Sequence, residues 1–154
     1  MKVRDATKTD AAAACEVLRA SISELCAADH HNDPAILRRW LANKTPENVT
    51  AWAADADAAL MLAVEGDTIL AVGLVRNDGE ITMNYVSPAA RFRGASSALL
   101  KALEARAKER GNTSCHLLST ETACRFYRDR GYVGAGAPQN KFGTNSSYPM
   151  RKEI

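Results

Sequence analysis

The sequence predicts an α/β (α+β) domain: a mixed, mostly antiparallel central sheet with helices on both faces. Three observations lead there. Residues 10–54 carry apolar side chains at helical spacing between helix start and stop signals. Residues 60–86 change to three strand-like runs joined by two tight-turn signals. Residues 95–152 then alternate helix, strand, helix and strand. Strands joined by tight turns pair antiparallel, and a sheet apolar on both faces needs helices to cover each one. At 154 residues the chain is most simply one domain, 1–154. Hydrophobic residues make up 46% and charged ones 25%, values of an ordinary soluble globular chain.

The elements follow in order. Val3 to Ala6 reads as a first strand, and Asp10 is expected to cap a helix from Ala11 to Ala28. Val17, Leu18, Ile22 and Leu25 form its apolar stripe. The run Asp29-His30-His31-Asn32-Asp33-Pro34 ends it, and a second helix follows from Ala35 to Ala42, with Ile36, Leu37, Trp40 and Leu41 inward. Thr45-Pro46-Glu47-Asn48 is a fresh start: a threonine cap, proline at the first helical position and an acid in the first turn. That helix is expected to reach about Ala54. Strands Leu60–Glu65 and Thr68–Arg76 flank the turn Gly66-Asp67, and Asn77-Asp78-Gly79 leads into a third strand, Glu80–Val86. A long helix from Ala95 to Arg110 stops at Gly111. Cys115–Ser119 reads as a short buried strand, and Thr122–Arg130 as a helix stopped by Gly131. Tyr132–Ala135 is strand-like, 134–147 is a glycine- and asparagine-rich loop, and Ser147–Lys152 is a final strand.

Composition narrows the function classes. No apolar run approaches membrane-spanning length, and Met1-Lys2-Val3-Arg4-Asp5 lacks the apolar core of a signal peptide, so a cytoplasmic protein without membrane partners is expected. Cys15, Cys26, Cys115 and Cys124 include no C-x-x-C pair, which favours reduced thiols. Cys26, His30, His31 and Asp33 lie close in sequence, but no second ligand pair follows at finger-like spacing, so no metal is expected. Net charge is +2 but uneven: residues 1–86 hold eight basic and thirteen acidic side chains, while 87–131 hold nine basic and four acidic. The basic half suits a polyanionic ligand, and the acidic half favours a cationic acceptor. No basic stretch interleaved with aromatics is present, so a nucleic-acid partner is not expected.

The chemistry gathers at Ser87-Pro88-Ala89-Ala90-Arg91-Phe92-Arg93-Gly94-Ala95-Ser96-Ser97, between a strand and a helix. The first turn of a helix has backbone N–H groups with no partner and carries partial positive charge, a ready site for phosphate. Gly94 lets the backbone approach a ligand, and Arg91 and Arg93 add charge-assisted contacts. The spacing Arg91-x-x-Gly94-x-Ser96 resembles the acyl-CoA loop of the Gcn5-related N-acetyltransferase (GNAT) superfamily, Gln/Arg-x-x-Gly-x-Gly/Ala, with Ser96 departing at the last position. A second stretch, Thr120 to Tyr132, resembles that family's Asn-x-x-Ala-x-x-φ-Tyr-x-x-x-Gly-Phe, where φ is apolar. Ala123, Phe126, Tyr127, Gly131 and Tyr132 match, and Thr120 replaces the asparagine. The element order is that of the GNAT fold, so the resemblance covers nearly the whole chain.

The resemblance implies acetyl-CoA as co-substrate, bound by Tyr85, Val86, Ser87, Arg91, Phe92, Arg93, Gly94, Ala95, Ser96, Ser97, Thr120, Ala123, Phe126 and Tyr127. It implies Tyr127 as general acid for the leaving thiolate, and a backbone N–H from Tyr85 to Ser87 as donor to the oxyanion. Glu80 is the first candidate general base, because some histone-type relatives place a glutamate there; Glu121, or Asp29 or His30 through water, are the others. The acceptor side is expected among Asp29, His30, His31, Asn32, Tyr85, Phe142 and Tyr148. The implied function is transfer of acetyl from acetyl-CoA to a primary amine of a small molecule, by direct attack in a ternary complex. The alternatives are a catalytically silent acyl-CoA sensor, or an enzyme acting on a protein or tRNA amine. Relatives are often dimers, so a homodimer is a further expectation.

Overall fold

The computed structural model describes all 154 residues. Its helices are α1 (Ala11–Leu25), α2 (Ala27–His30), α3 (Pro34–Leu41), α4 (Pro46–Ala53), α5 (Ala95–Glu109) and α6 (Cys124–Arg128). Its strands are β1 (Lys2–Asp5), β2 (Ala58–Glu65), β3 (Thr68–Arg76), β4 (Glu80–Val86), β5 (Ser114–Ser119), β6 (Val133–Gly134), β7 (Gln139–Lys141) and β8 (Thr144–Glu153). The sheet order is β1-β2-β3-β4-β5-β8-β6, with β7 folded back on β8. Every pairing is antiparallel except β4 with β5.

One face of the sheet buries Leu99, Leu100, Leu103 and Ala107 of α5 with Tyr127 of α6. The other buries Ala11, Ala14, Cys15 and Leu18 of α1 with Val49 of α4. Gly73, in the middle of β3, makes the first packing possible. A Cβ there would stand 2.9 Å from Leu103 Cδ1 and 3.0 Å from Leu99 Cδ2, so α5 crosses directly over the bare backbone.

The β4–β5 pair decides where a ligand goes. Their register holds only at Glu80↔His116 and Ile81↔Leu117. Across β4, the pairing with β3 slips by one residue between Leu74 and Val75, leaving Thr82 as a bulge. Beyond the bulge β4 stays with β3 and parts from β5, which opens the sheet into a wedge.

Four elements differ from the sequence reading. The first helix breaks at Cys26 (φ −105°, ψ 27°), and α2 is a separate turn. Asp10 does not cap α1; its carboxylate accepts from the Thr7 N–H at 2.7 Å and from Arg4 at 2.8 and 2.9 Å, which holds it far below the usual carboxylate range. The last helix is shorter, Cys124–Arg128. Residues 134–147 are no plain loop: β7 and the start of β8 make a hairpin whose turn, Phe142-Gly143, has φ of 59° and 89°.

Candidate active site

A cleft of about 350 Å³ fills the wedge between β4 and β5. Its head is the N-terminus of α5. Gly94 precedes the helix at φ 82°, and space over its Cα is open. The first backbone bond into the helix is donated by Ala98, to the Gly94 carbonyl at 3.0 Å. The N–H groups of Ala95, Ser96 and Ser97 therefore have no acceptor within the helix, and no side chain caps them. All three residues line the cleft, as does Arg91, which has no carboxylate partner.

Arg130 completes the cationic head. Its Nε and Nη2 donate to Ser97 Oγ at 2.9 and 2.6 Å, and its Nη1 donates to the Phe126 carbonyl at 2.9 Å. The guanidinium lies 3.7 Å from the centroid of the Phe126 ring. In the sequence Arg130 is one of the nine basic side chains of residues 87–131. Its position four residues after Phe126 was the available signal, although α6 ends at Arg128 and Arg130 lies in the turn beyond it. Arg93 behaves oppositely. It turns outward to Glu65 through two contacts of 2.8 and 2.9 Å and does not line the cleft. Phe92 lines the mouth 90% exposed, at φ 64°.

The wall is β4. The Ser87 N–H donates to the Leu70 carbonyl at 2.8 Å, so Ser87 serves β3 and leaves the cleft. Antiparallel ladders alternate: the Ser87/Leu70 and Tyr85/Val72 pairs face each other, so the N–H groups of Asn84 and Val86 turn toward the β5 side. No strand pairs with them there. Val86 lay within the expected donor stretch; Asn84 did not, because a bulge cannot be read from sequence spacing. The side chain of Asn84 also lines the cleft, and neither polar atom of its buried amide has a hydrogen-bond partner.

Tyr127 stands at the floor, 6% exposed, edge-on to Phe126 and Tyr132 at 5.1 and 5.4 Å between centroids. Burial pushes its phenol up to about 12, opposed by the nearby Asn84 side chain. The Thr120 hydroxyl accepts from the Ala123 N–H at 3.1 Å, which starts the turn into α6. Cys26 also lines the cleft, and burial pushes its thiol up to about 12, so it is no thiolate nucleophile.

The chain belongs to the GNAT acetyltransferases. The family model for the acetyltransferase (GNAT) domain matches residues 26–154. A GCN5-related N-acetyltransferase from Rhodopseudomonas palustris superposes with TM-score 0.87 at 23% identity, over 99% of this chain and 95% of that one. The PaiA N-acetyltransferase of Thermoplasma acidophilum, solved with coenzyme A, gives 0.85 at 18% identity, over 99% and 98%. YncA, a putative acetyltransferase of Salmonella typhimurium solved with acetyl-CoA, gives 0.75 at 19%, over 99% and 93%. No curated protein sequence matches the chain.

Besides Ser87 and Arg93, three further expected site residues of this GNAT domain lie elsewhere. Glu80 is at the closed end of the β4–β5 pair, its Oε2 3.7 Å from His116 Nε2, and does not line the cleft. His30 is fully buried: its Nδ1 accepts from the Asn32 N–H at 3.0 Å and its Nε2 meets the Ile22 carbonyl at 2.9 Å, so both ring nitrogens are engaged. Asp29 is also fully buried and acts as a clamp. It accepts from the Glu121 N–H and the Thr122 Oγ1–H at 2.6 Å each, from the Thr122 N–H at 3.4 Å and from the Ser146 hydroxyl. Tyr85 and Phe142 do come together at a second, adjoining cavity of about 40 Å³. Thr82, Tyr85, Leu118 and Thr120 line both spaces, so the two meet through the open wedge. No Asp, Glu or His lines either one. No cluster of three His, Cys, Asp or Glu residues is placed to hold a metal, and no helix is long and apolar enough to cross a membrane.

Proposed function

We propose that this domain transfers the acetyl group of acetyl-CoA to a primary amine of a small molecule, by direct attack in a ternary complex. One observation carries the reading. A single cleft runs from three unpaired N–H groups and two arginines at its head to a buried phenol at its floor, along two unpaired backbone N–H groups of a wall strand. Pyrophosphate suits the head. The unpaired donors of Asn84 and Val86 suit a thioester carbonyl, where negative charge develops on attack. CoA and acetyl-CoA in two structural relatives support the fit.

Acetyl-CoA supplies an activated thioester; the chain supplies position and protons. The head fixes the nucleotide, Asn84 and Val86 N–H groups stabilise the oxyanion, and Tyr127 donates toward the sulfur. A phenol near 12 remains protonated throughout the neutral range, so Tyr127 is always ready to donate. A free thiol titrates at about 8.5, so complete transfer from the phenol is uphill in water. Burial raises the leaving thiolate in the same direction, which narrows that gap. No enzyme carboxylate or imidazole lines the acceptor side, so the ammonium loses one proton to water before attack, the nitrogen loses a second to water as the intermediate collapses, and the Tyr127 phenolate regains a proton from water once the thiol has left. Four unpaired, buried cysteines support work in a reducing compartment, the cytoplasm.

The test is thiol release from acetyl-CoA across an amine panel, with Tyr127→Phe alongside. The variant should lose about 10²–10⁴-fold in kcat while its affinity for CoA stays within about threefold. Unchanged kcat would remove Tyr127 from the reaction. CoA binding with no release across the panel would favour a sensor.

A further inference from the structure

The cavity beside the wedge has a sign. Its outer wall is Trp40 and Phe142, stacked with centroids 5.7 Å apart and planes 12° from parallel. The Trp40 Nε1–H donates to the Tyr85 hydroxyl at 3.1 Å, which ties that wall to β4. Two ammonium groups converge on the same Phe142 ring: Lys141 Nζ at 5.2 Å and Lys44 Nζ at 5.6 Å from its centroid. Lys141 lines the cavity, and Lys44 is 5% exposed, its Nζ donating to Asn43 Oδ1 at 2.7 Å. A third cation flanks the turn, since a Cβ on Gly143 would stand 2.7 Å from Arg39 Nη1.

None of the three cations has a carboxylate within ion-pair distance. Burial draws Lys44 down to about 8, and the Lys141 charge nearby adds to the fall. The acidic side chains of this region face other work. Asp29 is enclosed by its four donors, and Asp33 caps α3 by accepting from the Ala35 N–H at 2.8 Å. A purely cationic acceptor, as the acidic first half of the sequence favours, would therefore meet like charge at this mouth.

We infer that the acceptor is an amine bearing a carboxylate, of amino-acid type, whose carboxylate docks against Lys141 and whose apolar part lies against Phe142, which the buried Trp40 backs. This rests on the acetyltransferase reading above. The size fits: about 40 Å³ holds a carboxylate-sized group, a few times the ~10–15 Å³ a water needs. The Ser147 hydroxyl at the same cavity offers a donor to such a group, whereas Thr144 already donates to the Asp29 carbonyl at 3.1 Å. The amine would then point through the wedge toward the wall strand.

The test is calorimetric titration of the CoA-loaded protein at low salt with matched pairs: L-phenylalanine against phenethylamine, and L-leucine against isoamylamine. The carboxylated member should bind about tenfold or more tightly, and Lys141→Glu should abolish or reverse the preference. Equal or tighter binding of the decarboxylated member overturns the inference. So does failure of both carboxylated members to bind, or a preference that survives Lys141→Glu. Thiol release in the same mixtures with acetyl-CoA separates the two readings. Selective binding without release sinks the transferase and leaves the charge preference standing. Release at equal kcat/KM from both members of each pair sinks only the charge preference.

Discussion

Replacing Asp29 by alanine should destabilise the protein more than any other single carboxylate change. The side chain is fully buried and receives four hydrogen bonds, two of them from the backbone of the β5–α6 connection and one from β8. Hydrogen bonds to a charged group contribute roughly 1.5–3 kcal/mol each, but they do not add, because the carboxylate must first leave water. Alanine removes the charge and leaves four neutral donors, each costing about 1–3 kcal/mol where water cannot reach it, offset by the desolvation the carboxylate no longer suffers; a net loss of about 3–5 kcal/mol follows. In a domain of this size that is a fall in Tm of roughly 6–20 °C. Asp33→Ala is the internal comparison: an exposed cap of α3 should cost only about 1 kcal/mol. Urea unfolding followed by circular dichroism gives both numbers. Thr120, Thr122 and Ala123 line the cleft, so Asp29→Ala should also raise KM for acetyl-CoA well below its Tm. An Asp29→Ala protein within 1 kcal/mol of wild type, or no worse than Asp33→Ala, would refute the clamp.

Three further outcomes follow from the same geometry. Arg130→Ala should weaken CoA binding about tenfold, because it removes a cation at the cleft head, whereas Arg93→Ala should change binding less than about twofold and stability by under ~1 kcal/mol, since its Glu65 pair is exposed; calorimetry and urea melts report both, and equal effects would contradict the placement. With no carboxylate or imidazole lining the acceptor side, kcat/KM should rise tenfold per pH unit until the acceptor's own amine pKa; a plateau between pH 6 and 7 would reveal an enzyme base. Lys44→Met should stabilise the protein by about 1–3 kcal/mol at pH 7 while weakening a carboxylated acceptor. The wild type gains stability as pH rises from about 8 to 10.5, where the unfolded chain keeps a proton that folded Lys44 has lost, so the advantage of methionine should shrink across that window; an advantage constant with pH would show that burial of the charge is not its source.

Much of the fold was legible because local rules and tertiary packing agree. Thr45 accepts from the Asn48 N–H at 3.2 Å, as its place before Pro46 predicts, and Gly66-Asp67 joins β2 to β3 as a tight turn. The phosphate loop was legible for the same reason: an orphaned first turn behind a positive-φ glycine is a local device. What escaped depends on contacts between distant residues. Asp29 looks like part of a solvated turn until β5 and β8 arrive over it. Arg91 and Arg93 are alike in sequence, but only Arg93 finds Glu65 across the turn between β2 and β3. The bulge at Thr82 decides which N–H groups of β4 face the wedge, and no spacing rule announces a single extra residue. The Phe142-Gly143 hairpin was hidden because phenylalanine rarely takes φ near 59°; stacking on Trp40 accompanies it there.

A crystal structure with acetyl-CoA bound tests the central claim most directly. The account predicts pyrophosphate oxygens about 3 Å from the N–H groups of Ala95, Ser96 and Ser97, and the thioester carbonyl against Asn84 or Val86 N–H beside the Tyr127 hydroxyl. Nucleotide bound away from the head of α5, or a thioester turned out of the β4–β5 wedge, would contradict it.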